Sequence, residues 1–277
     1  MKISTQLNLN HFEFLGYADS QKRARRSVGG SEVSITAYPF MASIRYAGDA
    51  ICGGSIISPN VILTAAHCIR EDYFLDLLSV KVGDSDINFG GSWHRVARVL
   101  KHEESQKLSK ERRIMTDIAL LKLEEPINID NKTTRTIQLL KGSDNARNYK
   151  SGILIGWGLY PMILNKTVPD PNGNGTIIQK QKITRPPANF RSVHLDIASD
   201  QTCYELAPGE NLDSLFCTHT LGRLPCRGDS GSPLVVNGKQ GGLLSWTFGD
   251  CSADANTAYF TDVARLSKWI DEKIKIV

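Results

Sequence analysis

Ser230 lies in the string CRGDSGSP, Cys226–Pro233, beside Asp229 and between glycines at 228 and 231. A hydroxyl attacks a carbonyl only when a base takes its proton and donors meet the resulting oxyanion. The two glycines let the backbone turn tightly enough for main-chain N–H groups to serve as those donors. Alone, the string reads equally well as a Gly-rich turn with a solvated Asp and Ser. A base is on offer at His67 in LTAAHC, Leu63–Cys68, although a lone histidine among small apolar residues is also consistent with a satisfied core side chain. Asp117 stands in TDIALLKL, a strand-like run apolar on both faces. A buried carboxylate without a donor is costly, and the imidazole N–H of His67 is the obvious partner.

Taken in order, TAAHC, DIALLKL, GWG at Gly156–Gly158, GDSGSP, and SW at Ser245–Trp246 resemble the chymotrypsin-like serine peptidases. The resemblance spans about Ser27 to Val277. It implies an all-β fold of two six-stranded antiparallel β-barrels, with the active site between them and a C-terminal α-helix. It also implies a serine endopeptidase with Ser230 as nucleophile, His67 as base and Asp117 as the group that orients the imidazole. The amides of Gly228 and Ser230 would form the oxyanion hole, and Ser245 would support Asp117. Chain order separates this from the α/β-hydrolase use of the same chemistry, in which the histidine follows the serine; here the last histidine is His219. No metal or cofactor is expected, and the substrate is a polypeptide.

The resemblance puts the base of the primary specificity pocket at Leu224, with Thr247 and Ala258 on its walls. A buried Lys or Arg side chain needs a carboxylate there, and Leu224 supplies none. Thr247 and Ala258 narrow the slot, so cleavage after small or medium apolar residues is expected, and not after Arg or Lys. Arg227 falls at the cleft rim, where it would favour acidic substrate residues or simply be solvated.

Residues 1–26 contain no cysteine and end in QKRARR, which reads as a pro-segment cut after Arg26, or alternatively as a disordered basic tail. By resemblance, the new α-ammonium of Ser27 would turn inward and pair with Asp229, fixing the oxyanion loop. Relatives begin this segment with Ile or Val; SVGG has Ser27, whose smaller apolar burial weakens insertion by about 1–2 kcal/mol. An activating peptidase is thus one expected partner and a protein inhibitor another.

The chain has 277 residues, 41% of them hydrophobic, enough for two modest cores, and a net charge of +4. No apolar run is long enough to span a membrane as a helix. Basic clusters at Lys22–Arg26, Lys110–Arg113 and Lys180–Arg185 lack interleaved aromatics and a nucleic-acid motif, and read as solvated loops or alternatively as a weak anionic-polysaccharide site. No nucleic-acid or membrane partner is expected, and the protein is expected to be a monomer. The six cysteines, Cys52, Cys68, Cys203, Cys217, Cys226 and Cys251, form no CxxC pair and allow fifteen pairings. The resemblance implies 52 with 68, 203 with 217 and 226 with 251, and with them an oxidising, extracellular compartment. The opening stretch MKISTQLNLNHFEFLGYADS alternates polar and apolar residues and lacks the continuous apolar core of a secretory leader.

Short alternating runs separated by Gly, Pro, Asn and Asp turns, from FMASIRY onward, suit antiparallel barrels, the first over about 27–140 and the second over about 141–262. Asp84 and Asp86 lie in a short loop with no later acid, so calcium is not expected. The segment from 159 to 190, rich in Pro, Gly and Asn, reads as a mobile surface loop beside the cleft. It holds two of three N-x-T sequons, Asn165 and Asn174; the third is Asn131. Val263, Leu266, Ile270 and Ile274, with Trp269 adjoining, mark an amphipathic helix over about 263–275.

A second class of function competes: a catalytically silent homologue that uses the fold as a binding or regulatory module. Ser27, Leu224 followed by Pro225, and the glycosylatable loop support it. The intact His67, Asp117 and Ser230 set with GDSG stands against it.

Overall fold

The computed structural model describes residues 30–106, 116–169, 171, 176–185, 187–247 and 256–276. Arg26, Ser27, Asn174 and Cys251 therefore lie outside the described residues. Strand β1 (Ser31–Glu32) is followed by β2 (Met41–Tyr46), β3 (Asp49–Ser58), β4 (Val61–Thr64), β5 (Leu78–Val82), β6 (Ser92–Lys101) and β7 (Ala119–Leu123). Strands β2 to β7 close a barrel in the order β2-β3-β4-β7-β6-β5. Alternation in the sequence decides which side chains enter it. Ala42 and Ile44 of β2, Ile62 of β4, Val80 and Val82 of β5 and Leu121 and Leu123 of β7 fill the barrel.

The next elements are β8 (Ser151–Gly156), β9 (Tyr160–Pro169), β10 (Thr176–Arg185), β11 (Arg191–Asp196), α1 (Asp200–Leu206), β12 (Leu215–His219), β13 (Pro233–Val236), β14 (Lys239–Thr247), β15 (Thr257–Asp262) and α2 (Ser267–Lys273). A seven-stranded sheet runs β1-β11-β8-β13-β14-β15-β12. A bridge between Ile197 and Thr218, just past β11 and within β12, curls this sheet back on itself. Strand β1 pairs with β11, so the chain touches the second lobe before it builds the first.

Two apolar seams join the lobes. Val61, Leu63, Ile118 and Leu120 point out of the closed barrel and meet Leu243, Val263 and Ile270. That is why both faces of β4 and β7 are apolar: one lines the barrel and the other is covered by the second lobe and α2. The other seam combines Phe40, Met41 and Ile87 with Ile155, Trp157 and Phe190. The C-terminal helix is shorter than its apolar stripe: α2 begins at Ser267, while Val263 and Leu266 reach the same seam from the turn before it.

The segment expected to be a mobile loop is instead a regular hairpin. β9 and β10 pair antiparallel over ten residues each, from Thr176 opposite Pro169 to Arg185 opposite Tyr160. The Pro, Gly and Asn residues that suggested a loop are concentrated in the sequence between the end of β9 and the start of β10. The flanking Thr, Val and Ile residues carry strand propensity.

Candidate active site

His67 belongs to a single 3-10 turn, Ala66–Cys68, that leaves the end of β4. Three contacts fix that turn. Thr64 Oγ1 donates to the carbonyl of Gly53 at 2.8 Å, Cys68 N donates to Ala65 O at 3.3 Å, and Cys68 is bonded to Cys52 on β3. The cluster Cys52, His67 and Cys68 has the composition of a metal site. Both sulfurs are spent in the disulfide, however, so no thiolate is left to bind an ion.

Asp117 is buried, with 1% of its side chain exposed, against 31% for His67. Its two oxygens take separate roles. Oδ1 accepts from the His67 backbone N–H at 2.9 Å and Oδ2 meets His67 Nδ1 at 2.6 Å. Oδ2 also accepts from Ser245 Oγ at 2.5 Å, and the Asp117 carbonyl accepts from Thr261 Oγ1 at 2.9 Å. Ser245 reaches the carboxylate because it is the extra residue of a β-bulge. Leu244 pairs with Phe260 and Trp246 with Tyr259, leaving Ser245 unpaired and turned toward the first lobe.

Burial pushes the Asp117 carboxyl up, but the His67 charge and the hydrogen bonds from His67 and Ser245 outweigh it and hold the group below the ordinary carboxylate range. The same balance acts on His67. Desolvation lowers it, and the facing carboxylate, by charge and hydrogen bond, raises it above its ordinary value of 6.5.

Ser230 sits where the lobes meet. Gly53 N–H donates to the Ser230 carbonyl at 2.8 Å and Gly231 N–H donates to Leu244 O at 2.8 Å. A Cβ on Gly231 would lie 2.3 Å from Thr64 Oγ1 and 3.0 Å from the Ala65 nitrogen, so the residue after the serine abuts the segment leading into His67. The Ser230 hydroxyl makes no hydrogen bond to His67 in this structure. The pairing of Asp117 with His67 and with Ser245 is formed, and Ser230 is held beside it by its backbone.

The amides of this loop divide into two sets. Those of Asp229, Gly231 and Ser232 donate to Cys226 O, Leu244 O and Asp229 O. Those of Gly228 and Ser230 donate to no protein group among the described residues. Gly228 has φ 96°, in the left-handed region that favours glycine.

Asp229 turns away from the cleft. Its Oδ1 accepts from Gly158 N at 2.7 Å and its Oδ2 from Cys226 N at 3.0 Å. Glycine at 156 and 158 is a steric requirement, since a Cβ at either position would fall 2.1 Å from an Asp229 oxygen. Burial raises the Asp229 carboxyl to about 6, against the pull of the Cys226 and Gly158 amides. A small recess beside it is lined by Gly30, Gly156, Gly158, Arg191 and Asp229.

Leu224 and Ala258 are both buried and share one apolar cluster with Leu154, Phe216 and Leu244. Thr247 pairs with Ala258 across β14 and β15. Trp246 stacks on Tyr259 with ring centroids 3.8 Å apart. Cys203 is bonded to Cys217, tying α1 to β12, and Cys226 is disulfide-bonded. The carboxylates of Asp84 and Asp86 accept backbone amides of their own loop. Sequence reasoning missed Gly53, Thr64 and Thr261 as positioning residues. The glycine pair Gly53-Gly54 inside an otherwise apolar strand was the available signal of close backbone approach.

The sequence model of the trypsin family matches residues 27–270. Hypodermin-A of Hypoderma lineatum is 34% identical over 248 residues, 88% of this chain and 86% of that protein. Trypsin epsilon of Drosophila erecta is 29% identical over 91% of this chain and 89% of that protein. Among solved structures, neuropsin, a serine protease of the mouse limbic system, superposes with a TM-score of 0.68 at 25% identity, covering 88% of this chain and 98% of its own. An inactivated protease paralogue of the scabies mite shares the fold with a TM-score of 0.67 at 20% identity, covering 89% of this chain and 97% of its own. A buried carboxylate locked to a histidine turn and a glycine-framed serine, in a lobe arrangement common to these proteins, place the chain in the trypsin family of serine endopeptidases.

Proposed function

We propose that the protein is secreted as a zymogen, is cut after Arg26, and cleaves polypeptides after small or medium apolar residues by way of an acyl-enzyme. The observation that carries the reading is the doubly hydrogen-bonded His67 and Asp117 pair, at 2.9 and 2.6 Å, on a turn against the Ser230 loop. In this reading the Ser230 oxygen bonds to the scissile carbonyl carbon while its proton passes to His67 Nε2. The carbonyl oxygen, now an anion, is met by the two unspent amides of Gly228 and Ser230. Breaking the C–N bond sends the proton from His67 to the leaving amine. Water then repeats the sequence on the ester and frees Ser230. Asp117 keeps the imidazole in the tautomer with Nε2 bare and stabilises the imidazolium.

Burial of Leu224 and Ala258 in one apolar cluster supports a pocket without a fixed negative charge. The recess at Asp229, whose carboxylate has two amide partners and no cation among the described residues, supports an incoming α-ammonium as the activation step. The chemistry in play is that of a polypeptide substrate with an activating peptidase upstream and a protein inhibitor downstream.

Treating the Arg26-cleaved protein with a fluorophosphonate tests this. The expected result is a covalent label on Ser230 that is absent from Ser230→Ala and much slower to form in the uncleaved chain. A cleaved protein that takes no label would leave the silent binding module as the better reading.

A further inference from the structure

A second recess, of about 480 Å³, lies beside the Ser230 loop and is lined by neither Leu224 nor Ala258. Its lining includes Cys52, Gly228, Trp157, Leu159 and Arg227, together with Asp49. Cys52 is bonded to the residue after His67, and His67 delivers a proton to the departing amine. Resting on the catalytic reading above, the recess thus receives the part of the substrate that leaves with that amine.

Its chemistry is unusual for a peptide groove because its floor is polar. Ser43 and Arg45 point outward from β2, away from the Ala42 and Ile44 side of the strand, yet both are buried. The Ser43 hydroxyl is shut away from solvent with no hydrogen-bond partner among the described residues. Arg45 spends its guanidinium on carbonyls, Nε on Gly48 at 2.9 Å, Nη2 on Gly48 at 2.5 Å and Nη1 on Ile87 at 2.8 Å, and lies 4.7 Å from the Trp93 ring. An apolar side chain seated here would cover these polar groups without offering them an acceptor.

The charges decide the sign. Burial lowers the proton affinity of the Arg45 guanidinium below its ordinary value, and the nearby Asp49 carboxylate opposes that shift in part. Arg227 is exposed beside Gly228 and makes no hydrogen bond or ion pair through its side chain among the described residues. Its backbone carbonyl accepts from Leu159 N at 2.7 Å, so the base of that side chain is anchored over the recess. With Arg45 and Asp49 opposing each other, Arg227 is the uncompensated charge of the group.

We propose that this recess selects a substrate carrying a carboxylate, Asp or Glu, at the first or second residue after the scissile bond, and that Arg227 is the residue that selects it. A guanidinium held by its backbone presents a fork that matches a carboxylate, and it repels a lysine or arginine at the same place.

The test uses the cleaved full-length protein and internally quenched peptides that share Leu before the scissile bond. They differ only in Glu, Gln or Lys at each of the two positions after it. At low salt the expected kcat/KM order is Glu, then Gln, then Lys, with about a tenfold span at the preferred position. Arg227→Gln should flatten that span and Arg227→Glu should reverse it, while 0.5 M NaCl should shrink it in the parent protein. A parent protein that turns over the peptides with equal kcat/KM for Glu and Lys overturns the proposal and leaves the catalytic reading standing. A span unchanged in Arg227→Glu overturns the role of Arg227. A protein that neither cleaves the peptides nor takes the fluorophosphonate label overturns both readings together.

Discussion

Gly53 on the second strand of the closed barrel, β3, donates its amide to the carbonyl of Ser230 at 2.8 Å, so the Ser230 loop of one lobe is hydrogen-bonded to a strand of the other. The approach is so close that a Cβ on Gly53 would stand 2.0 Å from Ser232 Oγ and 3.2 Å from the Ser232 Cα. The backbone at Ser232 cannot yield as a flexible side chain would. Gly53→Ala should therefore push the loop outward, costing about 1–3 kcal/mol of stability and slowing fluorophosphonate labelling of Ser230 by at least about tenfold. Thermal melting with labelling kinetics checks it. An alanine variant that labels at the parent rate would show that this contact does not position the serine.

The hydrogen bonds at Asp117 set the pH dependence. His67 must be neutral to take a proton, and the carboxylate holds its proton affinity above the ordinary 6.5. The acid limb of kcat/KM should thus have its midpoint above that value. Asp117→Asn should lower the rate by about four orders of magnitude, because the favoured imidazole tautomer is lost. The stability contribution has the matching sign. The protonated pair adds stability below the unfolded histidine value and loses it as pH rises through the higher folded one. Ser245→Ala, which removes the 2.5 Å bond to the buried carboxylate, should cost about 1.5–3 kcal/mol. Rate profiles from pH 5 to 9 and denaturant titrations read these effects.

Much of this site was legible because its parts are short strings. TAAHC and GDSG are ambiguous singly and only the buried Asp117 of DIALLKL demands a partner; the order of the strings along the chain, by resemblance, is what joins them. The structure adds what depends on distant contacts. Ser43 and Arg45 alternate outward from β2, yet both are buried, Arg45 against Gly48 across the turn and Ile87 and Trp93 far along the chain, which no local pattern announces. β1 spans only Ser31–Glu32, too short to show a period, and its pairing with β11 is a tertiary fact. The β9 and β10 hairpin does not stand out because Pro, Gly and Asn residues interrupt the Thr, Val and Ile of its two strands, and only their pairing across ten residues defines it. Helix α1 had a readable start in Ser199, whose side chain accepts from Thr202 N, but its seven residues gave little periodicity to support it.

Asp229 predicts a pH effect of opposite origin. Burial lifts its carboxyl to about 6 from an ordinary 3.8. The folded chain then binds this proton more tightly than the unfolded chain, and stability falls as pH rises from about 4 through 6. Asp229→Asn should remove that fall. Cleavage after Arg26 should also remove it, because an inserted ammonium favours the ionised form. Melting temperatures of cleaved, uncleaved and variant protein across pH 4 to 7.5 test this. A cleaved protein with the same slope as the uncleaved one would mean that no cation reaches Asp229.

Leu224 gives the sharpest test of substrate choice. It is 4% exposed within the cluster that holds Ala258, so a charge placed there has no partner. The parent protein should hydrolyse a Leu or Val nitroanilide at least about a hundredfold faster than an Arg one, since an unpaired buried guanidinium costs several kcal/mol. Leu224→Asp should lose about 3 kcal/mol or more of stability through the reverse problem, an unpaired carboxylate. Benzamidine, an aromatic amidinium, would supply the missing cation. At about one hundred times its Kd it should return about 2.7 kcal/mol, seen as a rise of roughly 5–8 °C in the melting temperature of the variant, with no rise in the parent. A parent protein stabilised equally by benzamidine would place a negative charge in the pocket that Leu224 does not provide, and the apolar preference would fall with it.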